Sequence, residues 1–209
     1  MTPQLKNLAL QLIDEGAVLV KRPGIPFPAF PIADSPIYLD LHPNSHFRGG
    51  PIRPLLARAL GEALYTLIRE KASFGILVGL YETGAWLAQQ IVDAQHSDAY
   101  KGLHFFASQS HPNVARSQPP TLQPTQHALA VCGVPRTGTS TLQEIERLQK
   151  AGLIVDAIIM VVDRKEGGSE KFHQAGYAVD ALFTLNELVE LYFAENWICQ
   201  AVADQIPTT

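Results

Sequence analysis

The chain has 209 residues, 46% of them hydrophobic and 17% charged, a globular composition that excludes a disordered or fibrous chain. Sixteen basic against twenty acidic residues leave a formal charge of -4, so no overall cationic field exists to drive nucleic-acid binding. Two cysteines, Cys132 and Cys199, cannot build a disulfide framework and point to a reducing, cytoplasmic setting.

Met1 to Lys6 leads into an amphipathic pattern without the apolar stretch of a secretion signal. Leu5, Leu8, Leu10, Leu12 and Ile13 follow helical spacing and stop at Gly16, which predicts a first helix closed by glycine. Residues 22–36 hold five prolines and read as a loop or edge excursion. Ile37 to Leu41 reads as a short strand. Leu56, Leu60, Leu64, Leu67 and Ile68 line one face of a helix within Pro51 to Glu70.

Phe74 to Gly79 is a continuous apolar run, as in a parallel strand covered on both faces, and a helix from about Thr83 to Asp93 follows. Leu103 to Ala107 reads as the next strand. Residues 108–126 are polar and proline-rich, and a segment of that kind inside a domain is usually functional or mobile. Ala128 to Val131, a helix bearing Leu142, Ile145 and Leu148, and the strand Ile154 to Val162 continue the alternation. That last run is far short of the ~20 residues a membrane span needs. A short helix near Ser169 to Gln174 and a strand over Ala178 to Phe183 come next, and Thr184 to Glu187 matches a capping box opening the last helix. Strands alternating with helices predict an α/β fold with a mainly parallel sheet, as one domain over 1–209.

The turn from Cys132 to Thr141 concentrates glycine and hydroxyl residues between a buried strand and a helix. Backbone amides at a helix N-terminus, with hydroxyl donors beside them, suit a phosphate. The candidate phosphate-binding residues are Arg136, Thr137, Gly138, Thr139, Ser140 and Thr141. The same residues have a plainer use, with Thr139 or Ser140 capping the helix.

Four segments in matching order resemble the orotate phosphoribosyltransferase family, of the type I phosphoribosyltransferase fold. They are Ser35 to Leu41, Gly75 to Ala88, residues 128–151 and the Asp163-Arg164-Lys165-Glu166-Gly167-Gly168 segment with its continuation through Leu191. The resemblance implies flanking helices around a mainly parallel sheet, with a helix and small hood over 1–45, an α/β core over 51–209 and a mobile loop over 108–126. It implies transfer of a phosphoribosyl group to orotate, Mg2+ bound with the sugar diphosphate, and a homodimer sharing its loops. It also matches Arg164 to the arginine that pairs with the substrate carboxylate. An ion pair of Arg164 with Asp163 or Glu166 is the alternative reading of the residues themselves.

The chain departs from that family pattern where charge matters most. Cys132-Gly133 stands in place of the adjacent acidic pair, and Arg136 in place of the first threonine of the cradle. Ala107 to His111 replaces a cluster of loop cations, leaving Arg116 as the only permanent cation between Gly102 and Pro135. Pro31 to Asp34 occupies the place of a substrate-binding lysine, and Glu82 adds a carboxylate at the turn on the pyrophosphate side. Losing one donor to a developing charge commonly costs about 10²–10³-fold in rate.

The expected function is therefore a catalytically weak or inactive relative that binds a phosphate, a nucleotide or a partner. The rival expectation is an active phosphoribosyltransferase making orotidylate, with Mg2+ required only in that case. A small-molecule ligand and a homodimer are expected, with no nucleic-acid or membrane partner. The seven histidines show no metal-ligand spacing, so no zinc site is expected.

Overall fold

The computed structural model describes residues 1–21, 35–43, 50–69, 76–94 and 127–206, and the backbone of 104–107. The readings made for residues 22–34 and 108–126 lie outside the described residues, as do His46, His96, His111 and Arg116.

Helix α1 (Pro3–Asp14) begins at Thr2, whose hydroxyl accepts from the Leu5 amide, and has Pro3 in its first turn, where a missing N–H costs nothing. Gly16, at φ 80°, closes it as the leucine spacing predicts. Strands β1 (Val18–Val20) and β2 (Ile37–Leu39) then pair antiparallel and, with α1, form the small N-terminal hood. β1 was not anticipated, because three residues are too few to show a period.

The core alternates as the apolar runs require: α2 (Pro54–Arg69), β3 (Ile76–Gly79), α3 (Tyr81–Asp93), β4 (His104–Ala107), β5 (His127–Cys132), α4 (Thr139–Lys150), β6 (Ile154–Asp163), α5 (Gly168–Gln174), β7 (Ala178–Thr184) and α6 (Leu185–Ala194). A short α7 (Gln200–Ala203) follows, and the capping box of Thr184 and Glu187 opens α6. The five core strands form one wholly parallel sheet in the order β4-β3-β5-β6-β7.

Strand alternation assigns each side chain to a face. Leu77, Leu129, Val131 and Ile159 belong to the core shared with α1, α2, α3 and α6. Val78, Ala130, Cys132, Ile158 and Met160 belong to the core shared with α4 and α5. The hood and α6 are joined by buried Tyr192, whose hydroxyl donates to the Ala9 carbonyl at 2.8 Å.

From β3 the chain runs outward to β4 and then crosses back to β5, on the other side of β3. The strand order therefore reverses between β3 and β5, the place where open α/β sheets leave a crevice beyond their carboxyl ends.

Candidate functional site

The β3–α3 and β5–α4 connections line that crevice as a pocket of about 300 Å³, with Tyr81 and Thr83 on one side and Cys132 through Thr141 on the other. Arg136, Thr137, Gly138, Thr139, Ser140 and Thr141 all line it, so the turn singled out from the sequence meets open space. Helix α4 starts at Gly138, which at φ 70° adopts a backbone that side chains disfavour, and no side chain caps it. The capping use of Thr139 or Ser140 is thus not what the structure has: both already lie inside the helix. A Cβ at Gly138 would also come within 2.5 Å of the Phe172 ring, because α5 packs directly under the turn.

Phe172 is fully buried, and its neighbour Lys171 donates from Nζ to Thr139 Oγ1 at 2.7 Å. Thr137 Oγ1 is 3.4 Å from the same hydroxyl. Spacing in the sequence could not reveal Lys171, since it reaches the turn from a different helix.

Arg136 and Arg164 share one carboxylate. Arg136 Nε donates to Glu166 Oε2 at 2.8 Å, and Arg164 holds Oε1 through Nε at 2.9 Å and Nη2 at 2.6 Å. Nη2 of Arg164 also donates to Ser35 Oγ in the hood at 3.0 Å. Burial pushes the Glu166 carboxyl up, but the contacts from Arg164 and then Arg136 outweigh this and hold it below its ordinary value. Arg164 is buried and is not on the pocket wall; of the two ion-pair partners considered for it, the structure pairs it with Glu166. Asp163 instead accepts from the Lys165 amide and ammonium, both at 2.9 Å.

At the end of β5, Cys132 is buried, with Sγ 3.5 Å from the Ile159 carbonyl, and burial raises its thiol to about 12. At Gly133 the space for a side chain is taken: a Cβ there would lie 2.6 Å from Thr83 Cγ2. Opposite, Tyr81 holds a left-handed φ of 57° and its hydroxyl donates to the Ser140 carbonyl at 2.7 Å, tying α3 to α4. Glu82 sits in the first turn of α3, where the helix dipole favours a carboxylate, and does not line the pocket. Among the described residues no three His, Cys, Asp or Glu side chains gather as a metal site, and no helix is long and apolar enough to cross a membrane.

No protein-family model matches the chain. It is 28% identical over 156 residues to the orotate phosphoribosyltransferase of Nostoc sp., covering 72% of this chain and 75% of that one. It is 34% identical over 85 residues to the enzyme of that name from Synechocystis sp., covering 41% of this chain and 43% of that one. Among solved structures, Leishmania donovani UMP synthase superposes with a TM-score of 0.75 at 20% identity, over 96% of this chain but 41% of that one. Mycobacterium tuberculosis orotate phosphoribosyltransferase in complex with 5-phospho-alpha-D-ribosyl 1-diphosphate gives 0.63 at 20% identity, over 89% of this chain and 99% of that one. The chain thus spans less than half the length of two of these relatives and most of the other two. With the strand order, the pocket at its reversal and these likenesses together, the chain is similar to the orotate phosphoribosyltransferases and has the type I phosphoribosyltransferase fold.

Proposed function

We propose that this protein binds a phosphate-bearing small molecule at Arg136, Thr137, Gly138, Thr139, Ser140 and Thr141, and that it is catalytically weak or inactive as a phosphoribosyltransferase. One observation carries the reading. The position that supplies acids to the ribose in the family holds a buried thiol at Cys132, and the Thr83 methyl group fills the space beside Gly133. Neither residue can accept hydrogen bonds from a sugar diol with a charge behind them, and that acceptor is what orients ribose for displacement.

Mg2+ fits this pocket poorly as a protein-held ion. It prefers oxygen ligands, and no carboxylate stands among the described lining residues. A magnesium ion would have to arrive with a diphosphate ligand.

The test has two parts. Orotidylate formation from orotate and phosphoribosyl pyrophosphate with Mg2+ is expected to run at least about 10²-fold below an ordinary enzyme of the family. Calorimetric titration with phosphoribosyl pyrophosphate is expected to show binding. Ordinary turnover overturns the weakened reading, and a flat titration with and without orotate overturns the phosphate site.

The second reading is an active orotate phosphoribosyltransferase in pyrimidine nucleotide synthesis, favoured by the names of the curated relatives. Arg164 would then have to leave Glu166 to pair with the orotate carboxylate. In either case the chain is proposed to act in the cytoplasm as one domain over 1–209 and as a homodimer.

A further inference from the structure

Among the described residues, Tyr81, Lys165 and Asn196 combine a side chain with positive φ, at 57°, 55° and 60°. Asparagine tolerates this region, and the Lys165 turn is braced by the Asp163 carboxylate, which accepts from the Lys165 amide. Tyr81, the first residue of α3, puts a bulky ring on a backbone that glycine adopts freely. Its surroundings impose that backbone. The Leu80 amide donates to the Val131 carbonyl at 2.8 Å, and the Gly84 amide to the Leu80 carbonyl at 3.1 Å. At Gly84 the Val131 oxygen leaves no room for a Cβ, so the turn is pressed onto β5 and Tyr81 reverses the chain within it. Strain of this kind persists where the surroundings over-determine it, and it concentrates where the side chain has a further use. Here the ring lines the pocket at the strand-order reversal, and its hydroxyl donates to the Ser140 carbonyl across the crevice at 2.7 Å. Cys132 lines the same pocket and is only 5% exposed.

We propose that Tyr81 is a side-chain gate on this pocket, aimed across the crevice by its left-handed backbone and latched shut on the Ser140 carbonyl. Entry of a small molecule from the α3 side requires the phenol to leave Ser140 and the ring to turn out into solvent, to which it is already 36% exposed. The gate acts on access whatever the pocket holds, so it does not depend on a phosphate ligand. Burial, and after it the Glu144 charge, push the Tyr81 phenol above its ordinary value, which keeps it a hydrogen-bond donor at neutral pH. A glycine in its place would satisfy the turn and leave the crevice open.

The test uses the full chain carrying Cys199→Ser, so that Cys132 is its single thiol, and follows reaction with N-ethylmaleimide at pH 8 beside thermal unfolding. Tyr81→Phe removes the latch and keeps the ring, whereas Tyr81→Gly removes the gate and relieves the backbone. Tyr192→Phe, which loosens α6 from α1, controls for labelling through global unfolding. Labelling of Cys132 is expected to rise about fivefold in Tyr81→Phe, the equivalent of one lost hydrogen bond, and at least about tenfold in Tyr81→Gly. The Tyr81→Gly midpoint is expected to stay within about 5 °C of the parent, because glycine fits the left-handed turn. Tyr192→Phe is expected to label within about twofold of the parent, since the pocket route does not pass through α6. Unchanged labelling in Tyr81→Gly, or an equal rise in Tyr192→Phe, overturns the gate. A larger fall in the Tyr81→Gly midpoint shows a tyrosine kept for stability and overturns it as well.

Discussion

Arg136 Nε stands 2.8 Å from Glu166 Oε2, so the turn after β5 is tied to the turn after β6 through a carboxylate that Arg164 already holds. Removing that charge leaves a buried guanidinium beside a neutral amide. Glu166→Gln is expected to lose about 1–3 kcal/mol at pH 7, measured by urea unfolding. Because the carboxyl is held below its ordinary value of 4.5, its contribution is complete above that value and fades as pH falls through the lower folded one. The gap between parent and variant should therefore be constant from pH 7 to about 5 and close in more acidic solution. A gap that widens on acidification would contradict the ion-pair account.

Thr83 and Gly133 make a second pair with a measurable consequence. Gly133→Asp, which places one acid where the resembled family pattern has it, must push Thr83 Cγ2 out of the space it fills. A loss of about 1–3 kcal/mol is expected, and Thr83→Ala in the same chain should recover at least half of it. A double-mutant cycle in denaturant reads the interaction directly. Strict additivity would mean that the threonine methyl group is not the obstacle.

The two cysteines should differ sharply in reactivity. Cys132 is buried and its thiol is raised to about 12, so it stays protonated and unreactive through neutral and mildly alkaline pH. Cys199 is exposed. Titration with a chromogenic disulfide at pH 8 should count one fast thiol in the native protein and two after denaturation. Two fast native thiols would show that Cys132 opens to solvent.

Tyr192→Phe removes the hydroxyl that joins α6 to α1. The Ala9 carbonyl keeps its place in the helix but loses a buried donor, for an expected cost of about 1 kcal/mol in thermal or chemical unfolding. An unchanged midpoint would mean that the hood is not anchored through this bond.

Much of the fold was legible because local physics repeats itself along the chain. The run Ala157 to Val162 is apolar on consecutive positions, and it forms the buried part of an interior strand with both faces covered. Leu56, Leu60 and Leu64 mark one helix face, and all three are buried. The turn from Arg136 to Thr141 was equally visible as a glycine and hydroxyl cluster between a strand and a helix. Strand β1 and helix α7 were not legible, since three and four residues carry no usable period.

The site divides along the same line. Residue order alone determined that Cys132-Gly133 brings no acid to the end of β5 and that a glycine and hydroxyl turn opens α4. Only the tertiary structure decided that Glu166 takes up both Arg136 and Arg164, that Thr83 fills the space beside Gly133, and that Lys171 arrives at Thr139 from another helix. The reason is physical: periodicity and turn chemistry act between near neighbours in the chain, whereas charge pairing and space filling act between neighbours in three dimensions, and those are set by how the parallel strands order the loops at their carboxyl ends.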